Sequence, residues 1–215
     1  VMPGVYQEVF PLVIPAGVTL RGHSMRSTII QPNSLNYQDA IHLNGEVTVE
    51  DLTIRDFYYD SGNDVGYAFR FAPNFEVTTR SPYIRNVSVI TKGSVTSASD
   101  PRGFDEGDAG KGAYLDGSVA TADSKEAACL FHAATFITPG VDAIVMTNGV
   151  RVEWLNSFTY YANRGLYALN GSTGLKGAGQ TAIRVDDVTG SFSAGETFSL
   201  KSVDGSTTLG SGTIA

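Results

Sequence analysis

Short alternations of apolar and polar residues recur along the chain, each closed by Gly, Asn or Asp. Early copies are Val18-Thr-Leu20 before Arg21-Gly22, Ala40-Ile-His-Leu43 before Asn44-Gly45, and Val47-Thr-Val-Glu-Asp-Leu-Thr-Ile54. Later ones are Tyr67-Ala-Phe-Arg-Phe71, Tyr83-Ile-Arg-Asn-Val-Ser-Val89, Ala113-Tyr-Leu115, Leu130-Phe-His-Ala133, Ala143-Ile-Val-Met146 and Val150-Arg-Val-Glu-Trp-Leu155. Successive side chains of a strand point to opposite faces, so a period of two bounded by turn formers predicts short strands. One short helix is predicted, over Ser124-Lys-Glu-Ala-Ala128.

The strands repeat weakly. Val49-Glu-Asp-Leu-Thr-Ile54 matches Ile84-Arg-Asn-Val-Ser-Val89 thirty-five residues on, each placing a polar pair before an apolar–hydroxyl–apolar triplet. Val152-Glu-Trp-Leu-Asn-Ser157 is a looser copy sixty-eight residues further, close to two such offsets. A second repeat pairs Ile41 to Leu52 with Val145 to Leu155, both running strand, Asn-Gly turn, strand, Glu, Leu. An Asn-Gly turn also joins antiparallel hairpins, which makes a β-sandwich or meander the competitor. Strands of three to five residues, Asn turns and repeats of uneven length favour a stacked coil in which neighbours share one core.

Two stretches break the pattern. Thr91 to Gly112 is rich in Gly, Ser, Asp and Thr and reads as a long loop leaving the coil. Gly171 to Gly179 is glycine-rich and reads as a joint. Ala182-Ile-Arg-Val185, Phe198-Ser-Leu200, Leu209 and Ile214 then form a glycine-punctuated tail, expected to be a small antiparallel β appendage. The organisation expected is a coil over 1–170 and an appendage over 171–215. Both ends fall inside strand-like units, so the chain reads as part of something longer.

Composition sharpens this. The 215 residues are 42% hydrophobic but only 17% charged, with 24 glycines, which fits sheet and turns better than long helices. A net charge of −7 repels phosphate backbones and anionic membrane surfaces, and nucleic acid is not an expected partner. No apolar run approaches the about 18 residues that would cross a bilayer as a helix. The single cysteine, Cys129, lies in the apolar run Ala127-Ala-Cys-Leu-Phe131 and reads as a small core residue. His132 stands three residues on, which in a strand is the opposite face, so the two do not make a thiol–imidazole pair.

Pro3-Gly-Val-Tyr-Gln-Glu8 followed by Val13-Ile-Pro-Ala-Gly-Val-Thr-Leu-Arg-Gly22 resembles the first turns of pectin-lyase-like proteins. That resemblance covers about thirty residues and implies a right-handed parallel β-helix. Lys111-Gly-Ala-Tyr-Leu-Asp-Gly117, Phe136-Ile-Thr-Pro-Gly-Val-Asp142, Asn148 to Phe158 and the glycine-punctuated tail look like large structural proteins of marine T4-like phages. The second resemblance implies a virion location and virion subunits as partners, with a homotrimer among the assemblies.

Enzymes with the resembled fold are mainly glycoside hydrolases, with two carboxylates across the scissile bond, or polysaccharide lyases, with an Arg or Lys base and acids that hold calcium. The hydrolase motifs that the resemblance would bring are Asn-Thr-Asp, Asp-Asp, Gly-His-Gly and Arg-x-Lys. Here Gly22-His-Ser24 is a fragment too near the start, Asp186-Asp187 lies in the tail, and no Arg-x-Lys occurs. The lyase signature has no clear counterpart. No catalytic, cofactor or metal residue is therefore assigned, and the acids to test first are Asp56, Asp60, Asp105, Glu106 and Asp108.

Asp100, Asp105, Glu106 and Asp108 share a glycine-rich loop, where hard oxygen ligands can hold calcium, although the spacing is not that of an EF-hand. A solvated acidic loop is the plainer reading. Asp56, Asp60 and Asp64 follow a strand and line either a groove or a polar turn. His23, His42 and His132 lack metal-ligand spacing, and His42 should face away from Ile41 and Leu43. Phe57-Tyr-Tyr59 and Phe158-Thr-Tyr-Tyr161 offer rings that either stack on sugars or pack between neighbouring strands.

Three readings follow. The chain is a non-catalytic structural module of a tail fibre or tailspike that contacts host surface polysaccharide. It is a polysaccharide lyase or glycoside hydrolase. Or it is a carbohydrate-binding module.

Overall fold

The computed structural model describes residues 1–34, 37–73, 75–91, 108–119, 127–169, 173–174, 197–201 and 208–213. They divide between two compact units, Val1–Ala178 and Gly179–Ala215.

Among the described residues the first unit is all β apart from one turn of 3-10 helix at Gly117–Val119. Its strands are β1 (Gly4–Glu8), β2 (Leu12–Ile14), β3 (Thr19–Arg21), β4 (Thr28–Pro32), β5 (Ile41–Leu43), β6 (Thr48–Arg55), β7 (Tyr67–Phe71) and β8 (Tyr83–Ile90). They continue with β9 (Lys111–Asp116), β10 (Ala128–His132), β11 (Thr135–Ile137), β12 (Asp142–Thr147), β13 (Arg151–Leu155), β14 (Phe158–Tyr160), β15 (Arg164–Ala168) and β16 (Thr173–Gly174). The chain passes back and forth between a ten-stranded and a six-stranded sheet. The six-stranded sheet stacks β2, β5, β7, β9, β12 and β15 in chain order, and every strand pair of both sheets is parallel. Parallel neighbours exclude the sandwich and meander alternatives, which need hairpins.

In β6 the segment Thr48–Glu50 pairs with β3, and Thr53 and Ile54 pair with β4. Between the two halves Asp51 bends the chain at φ 58°. Asn86, Ala133 and Asn156 make the same left-handed corner in later passes, at φ 52°, 53° and 47°. Asn and Asp tolerate this conformation because their short polar side chains bond locally. Asn86 Nδ2 donates to Asp51 Oδ1 at 2.7 Å, so the corner side chains also link one pass to the next.

The thirty-five-residue repeat is the register itself. Val49 faces Ile84, Glu50 faces Arg85 and Leu52 faces Val87. The looser copy is corrected by two residues: Ile84 faces Phe131, which faces Trp154, not Val152. The Ile41–Val145 match shifts too, because Ile41 faces Phe69, Phe69 faces Ala113, and Ala113 faces Ile144. The Asn-Gly turns link parallel strands of different sheets. Asn44 Oδ1 accepts the N–H of Gly45 at 2.9 Å and that of Glu76, one pass later, at 3.0 Å.

The core lies between the sheets. Val49, Ile84 and Phe131 from one sheet meet Ile41, Phe69 and Ile144 from the other, all fully buried. Phe69, Phe131, Phe136 and Trp154 form a ring cluster, with Phe69 6.2 Å from Phe131 and Phe131 5.7 Å from Phe136. Cys129 is buried in this core and His132 faces outward, as the alternation requires. Burial pushes the Cys129 thiol up, which keeps it neutral.

Of the expected helix, Ala128 opens β10 and residues 124–126 lie outside the described residues. Of the expected loop, Lys111 and Gly112 belong to β9, and Asp100, Asp105 and Glu106 lie outside the described residues. In the second unit β17 (Thr197–Lys201) and β18 (Thr208–Thr213) pair antiparallel. The stretch Ala182 to Asp187 lies outside the described residues.

Candidate functional site on the outer face of the six-stranded sheet

Alternation sends Ile41, Leu43, Phe69 and Phe71 inward and His42 and Arg70 outward, while at Ala40 and Ala68 it breaks, both being buried in the core. Register stacks the outward residues. Val13, His42, Arg70, Tyr114, Val145 and Tyr167 form one outward column. Tyr67 faces Lys111 in a second column, which Asp142 and Arg164 extend. Because the strands of this sheet pair in parallel register, the two columns bring charged and aromatic groups of successive strands side by side.

Asp39, at the entry to β5, anchors the face. Its Oδ1 accepts the N–H groups of Gly66 and Tyr67 at 2.9 and 3.0 Å. Its Oδ2 meets His42 Nε2 at 3.0 Å and Arg70 Nε at 3.3 Å, the latter an ion pair without hydrogen-bond geometry. Burial alone would raise the Asp39 carboxyl. The His42 bond, the Arg70 charge and the two backbone donors outweigh it and hold the group below the usual carboxylate range.

Arg70 lies against the rings of both Tyr67 and Tyr114, at 5.0 and 4.7 Å from their centroids, and donates to the Asp64 carbonyl at 2.6 Å. Asp64 Oδ1 accepts both the Tyr59 and Tyr67 hydroxyls at 2.9 Å, and its Oδ2 lies 3.3 Å from Arg70. Burial, then the Asp64 charge, pushes the Tyr67 phenol far up, so Tyr67 is a donor throughout the physiological range. Three strands further along the sheet, Arg164 of β15 grips Asp142 of β12 with two bonds of 2.7 Å and stacks at 3.5 Å over Tyr167.

Lys111 differs from the two arginines. Its Nζ sits 3.7 Å above the Tyr59 ring and 5.6 Å from that of Tyr67. Among the described residues no carboxylate lies within ion-pair distance of it. Burial lowers its pKa, partly offset by the Asp142 and Asp64 charges. Of the acids expected to matter, Asp64 reaches this face. Asp56 lies 3.3 Å from Arg55, and Asp60 caps its own turn through Gly62 and Asn63. Asp108 accepts the Tyr59 N–H through its carbonyl. Among the described residues no group of three His, Cys, Asp or Glu could hold a metal ion. Calcium ligation by Asp100, Asp105 and Glu106 falls outside the described residues.

The aromatic clusters divide. Phe57 is core, Tyr58 packs 6.2 Å from Tyr37, and Tyr59 carries Lys111. Phe158 and Tyr160 point outward from β14, half exposed and 6.4 Å apart, with Tyr161 at 74% exposure beside them. Sequence reasoning missed Asp39, Arg70, Lys111, Asp142 and Arg164. Arg70 stood in the outward phase of the alternation, but Asp39, Lys111, Asp142 and Arg164 share the phase of the inward residues of their strands, so periodicity alone gave no signal for them.

No protein-family model, no curated protein and no solved structure matches the chain.

Proposed function

We propose that this chain is a right-handed parallel β-helix serving as a non-catalytic structural module of a virion, and that its outer face contacts a host surface glycan. One observation carries the non-catalytic part. The carboxylates gathered on the outer face are acceptors for cations, phenols or backbone N–H groups: Asp39 and Asp64 for Arg70 and its surroundings, Asp142 for Arg164. A glycoside hydrolase needs one carboxyl that keeps its proton. Asp39, despite its burial, is instead held below the usual carboxylate range by His42, Arg70 and two backbone donors. The same polar groups tie successive passes together, as do Arg85 with Glu50 at 2.5 Å and Asn148 with Asp116 at 2.8 Å. A stiff rod built of such repeats suits a tail fibre or tailspike, with other virion subunits, in a homotrimer, as its partners. The glycine-punctuated tail, as a small antiparallel appendage, belongs to the same proposal, and its support is the β17–β18 pair.

A second reading, a polysaccharide lyase, is favoured by Lys111, a half-buried amine of lowered pKa that could take a proton from a sugar ring. Incubation with acidic and neutral polysaccharides, with and without calcium, separates the two. The structural reading expects unchanged chain length by size-exclusion chromatography, no ultraviolet-absorbing unsaturated ends, and co-elution of intact glycan with the protein. Shortening that disappears in Lys111→Met would replace it with the lyase.

A further inference from the structure

We propose that Lys111 receives the anionic substituent, a carboxylate or a sulfate, of an acidic glycan lying on the outer face of the six-stranded sheet. This rests on the glycan-contact reading above and names the chemistry that the face selects.

The argument begins with unused donors. An ammonium carries three N–H groups and no acceptor. That of Lys111 meets aromatic faces, 3.7 Å over Tyr59 and 5.6 Å from Tyr67, and among the described residues no carboxylate. A ring face attracts the charge but does not satisfy three donors. Arg70 and Arg164, the other cations of the face, are occupied by Asp39 and Asp64 and by Asp142. Asp142 is near enough for its charge to act on Lys111, yet both its oxygens are turned to Arg164. Three carboxylates thus share two guanidiniums, and among the described residues Lys111 is the cation of the face with no carboxylate in ion-pair contact.

The open group is also held in place. Tyr59 and Tyr67 pack edge to face at 5.7 Å and are both pinned by hydroxyl bonds to Asp64 Oδ1. The surface beneath the ammonium is fixed before any ligand arrives, which lowers the ordering cost of binding. Partial burial weakens hydration of the charge, and the lowered pKa of Lys111 reflects that. An anion offsets this loss better than a sugar hydroxyl, since bonds between charged partners are about twice as strong as neutral ones. Arg164 takes both oxygens of Asp142, and Arg70 is shared by Asp64 and Asp39, so the opposition of these acids to an incoming anion is reduced but not removed.

The test compares an oligouronate, the same oligouronate as its methyl ester, and a sulfated neutral oligosaccharide of equal length by titration calorimetry. The oligouronate or the sulfated chain, or both, should bind about tenfold more tightly than the ester. That advantage should vanish in Lys111→Met, which keeps the stem over Tyr59, and persist in Lys111→Arg. Whichever of the two anions shows the advantage identifies the substituent. Equal affinity for all three probes overturns the inference and leaves glycan contact standing. No binding of any probe removes the glycan-contact reading as well. A preference for anions that survives in Lys111→Met places the anion elsewhere and overturns the assignment. If Lys111→Met does not fold, the wild-type protein still decides. The Lys111 Cε resonance in carbon-13 lysine-labelled protein should move with the preferred anionic probe and not with the ester, and a stationary resonance overturns the inference.

Discussion

Four residues in left-handed conformation, Asp51, Asn86, Ala133 and Asn156, make the same corner in successive passes. Three of them are Asp or Asn, for which the conformation is tolerable. Ala133, at φ 53°, has no side-chain oxygen to compensate, and an L-residue with a bare Cβ is penalised there by about 1–2 kcal/mol. Its amide is already used, donating to the Leu155 carbonyl at 3.0 Å, so the corner is kept by its neighbours. Ala133→Asn should therefore raise the midpoint of thermal unfolding by several degrees, equivalent to about 1 kcal/mol. Calorimetry beside Ala133→Gly checks it, and a lower midpoint for both variants would show that the corner carries no strain. At this scale the sequence was half legible. Asp51 and Asn86 stood out as a repeated polar position, whereas Ala133 looked like an ordinary small residue closing a strand.

At the scale of elements, strands were legible and their partners only in part. Strands such as β6 and β8 followed directly from period-two alternation, and their shared spacing gave the true register. The match to Val152 slipped by two residues because such a slip leaves every side chain on its proper face. Alternation cannot detect it, and only the corner at Asn156 fixes the alignment. The short strands β2, β11 and β14 hold three residues each, too few to show a period. The close stacking of strands gives a prediction of its own. Gly112 in β9 has room for hydrogen alone, because an added Cβ would press into the Ala143 carbonyl of β12 and crowd the Phe136 ring. Gly112→Ala should destabilise the unit by about 3 kcal/mol or more, read as a fall in the denaturation midpoint in urea. A change below about 0.5 kcal/mol would mean that β9 and β12 are not packed at this distance.

For the first unit as a whole, each pass touches mainly its neighbours, so protection from hydrogen exchange should rise from the edge inward. The edge strands β1, β2 and β3 each pair on one side only, and Val1, Met2, Val5, Val9 and Val13 around them are more than half exposed. Strands β6, β8 and β10 pair on both sides around the Phe69–Phe131–Phe136 cluster. Peptides covering β6, β8 and β10 should exchange far more slowly than those covering residues 1–21, as followed by mass spectrometry. Uniform protection along the chain would point instead to a single cooperative unit.

By itself the sequence determined an all-β chain, since alternation, turn chemistry and low charge all act locally. It also determined the inward-facing Cys129, the outward-facing His42 and His132, and the thirty-five-residue spacing of two passes. Only the tertiary structure decided that the neighbours are parallel, because an Asn-Gly turn serves a hairpin and a sheet-to-sheet corner equally well. Only it brought Asp39, Asp64, Arg70 and Lys111 to one surface. Asp64 and Arg70 belong to one pass, but Asp39 and Lys111 come from the passes on either side, and that meeting depends on long-range register, which no local pattern encodes.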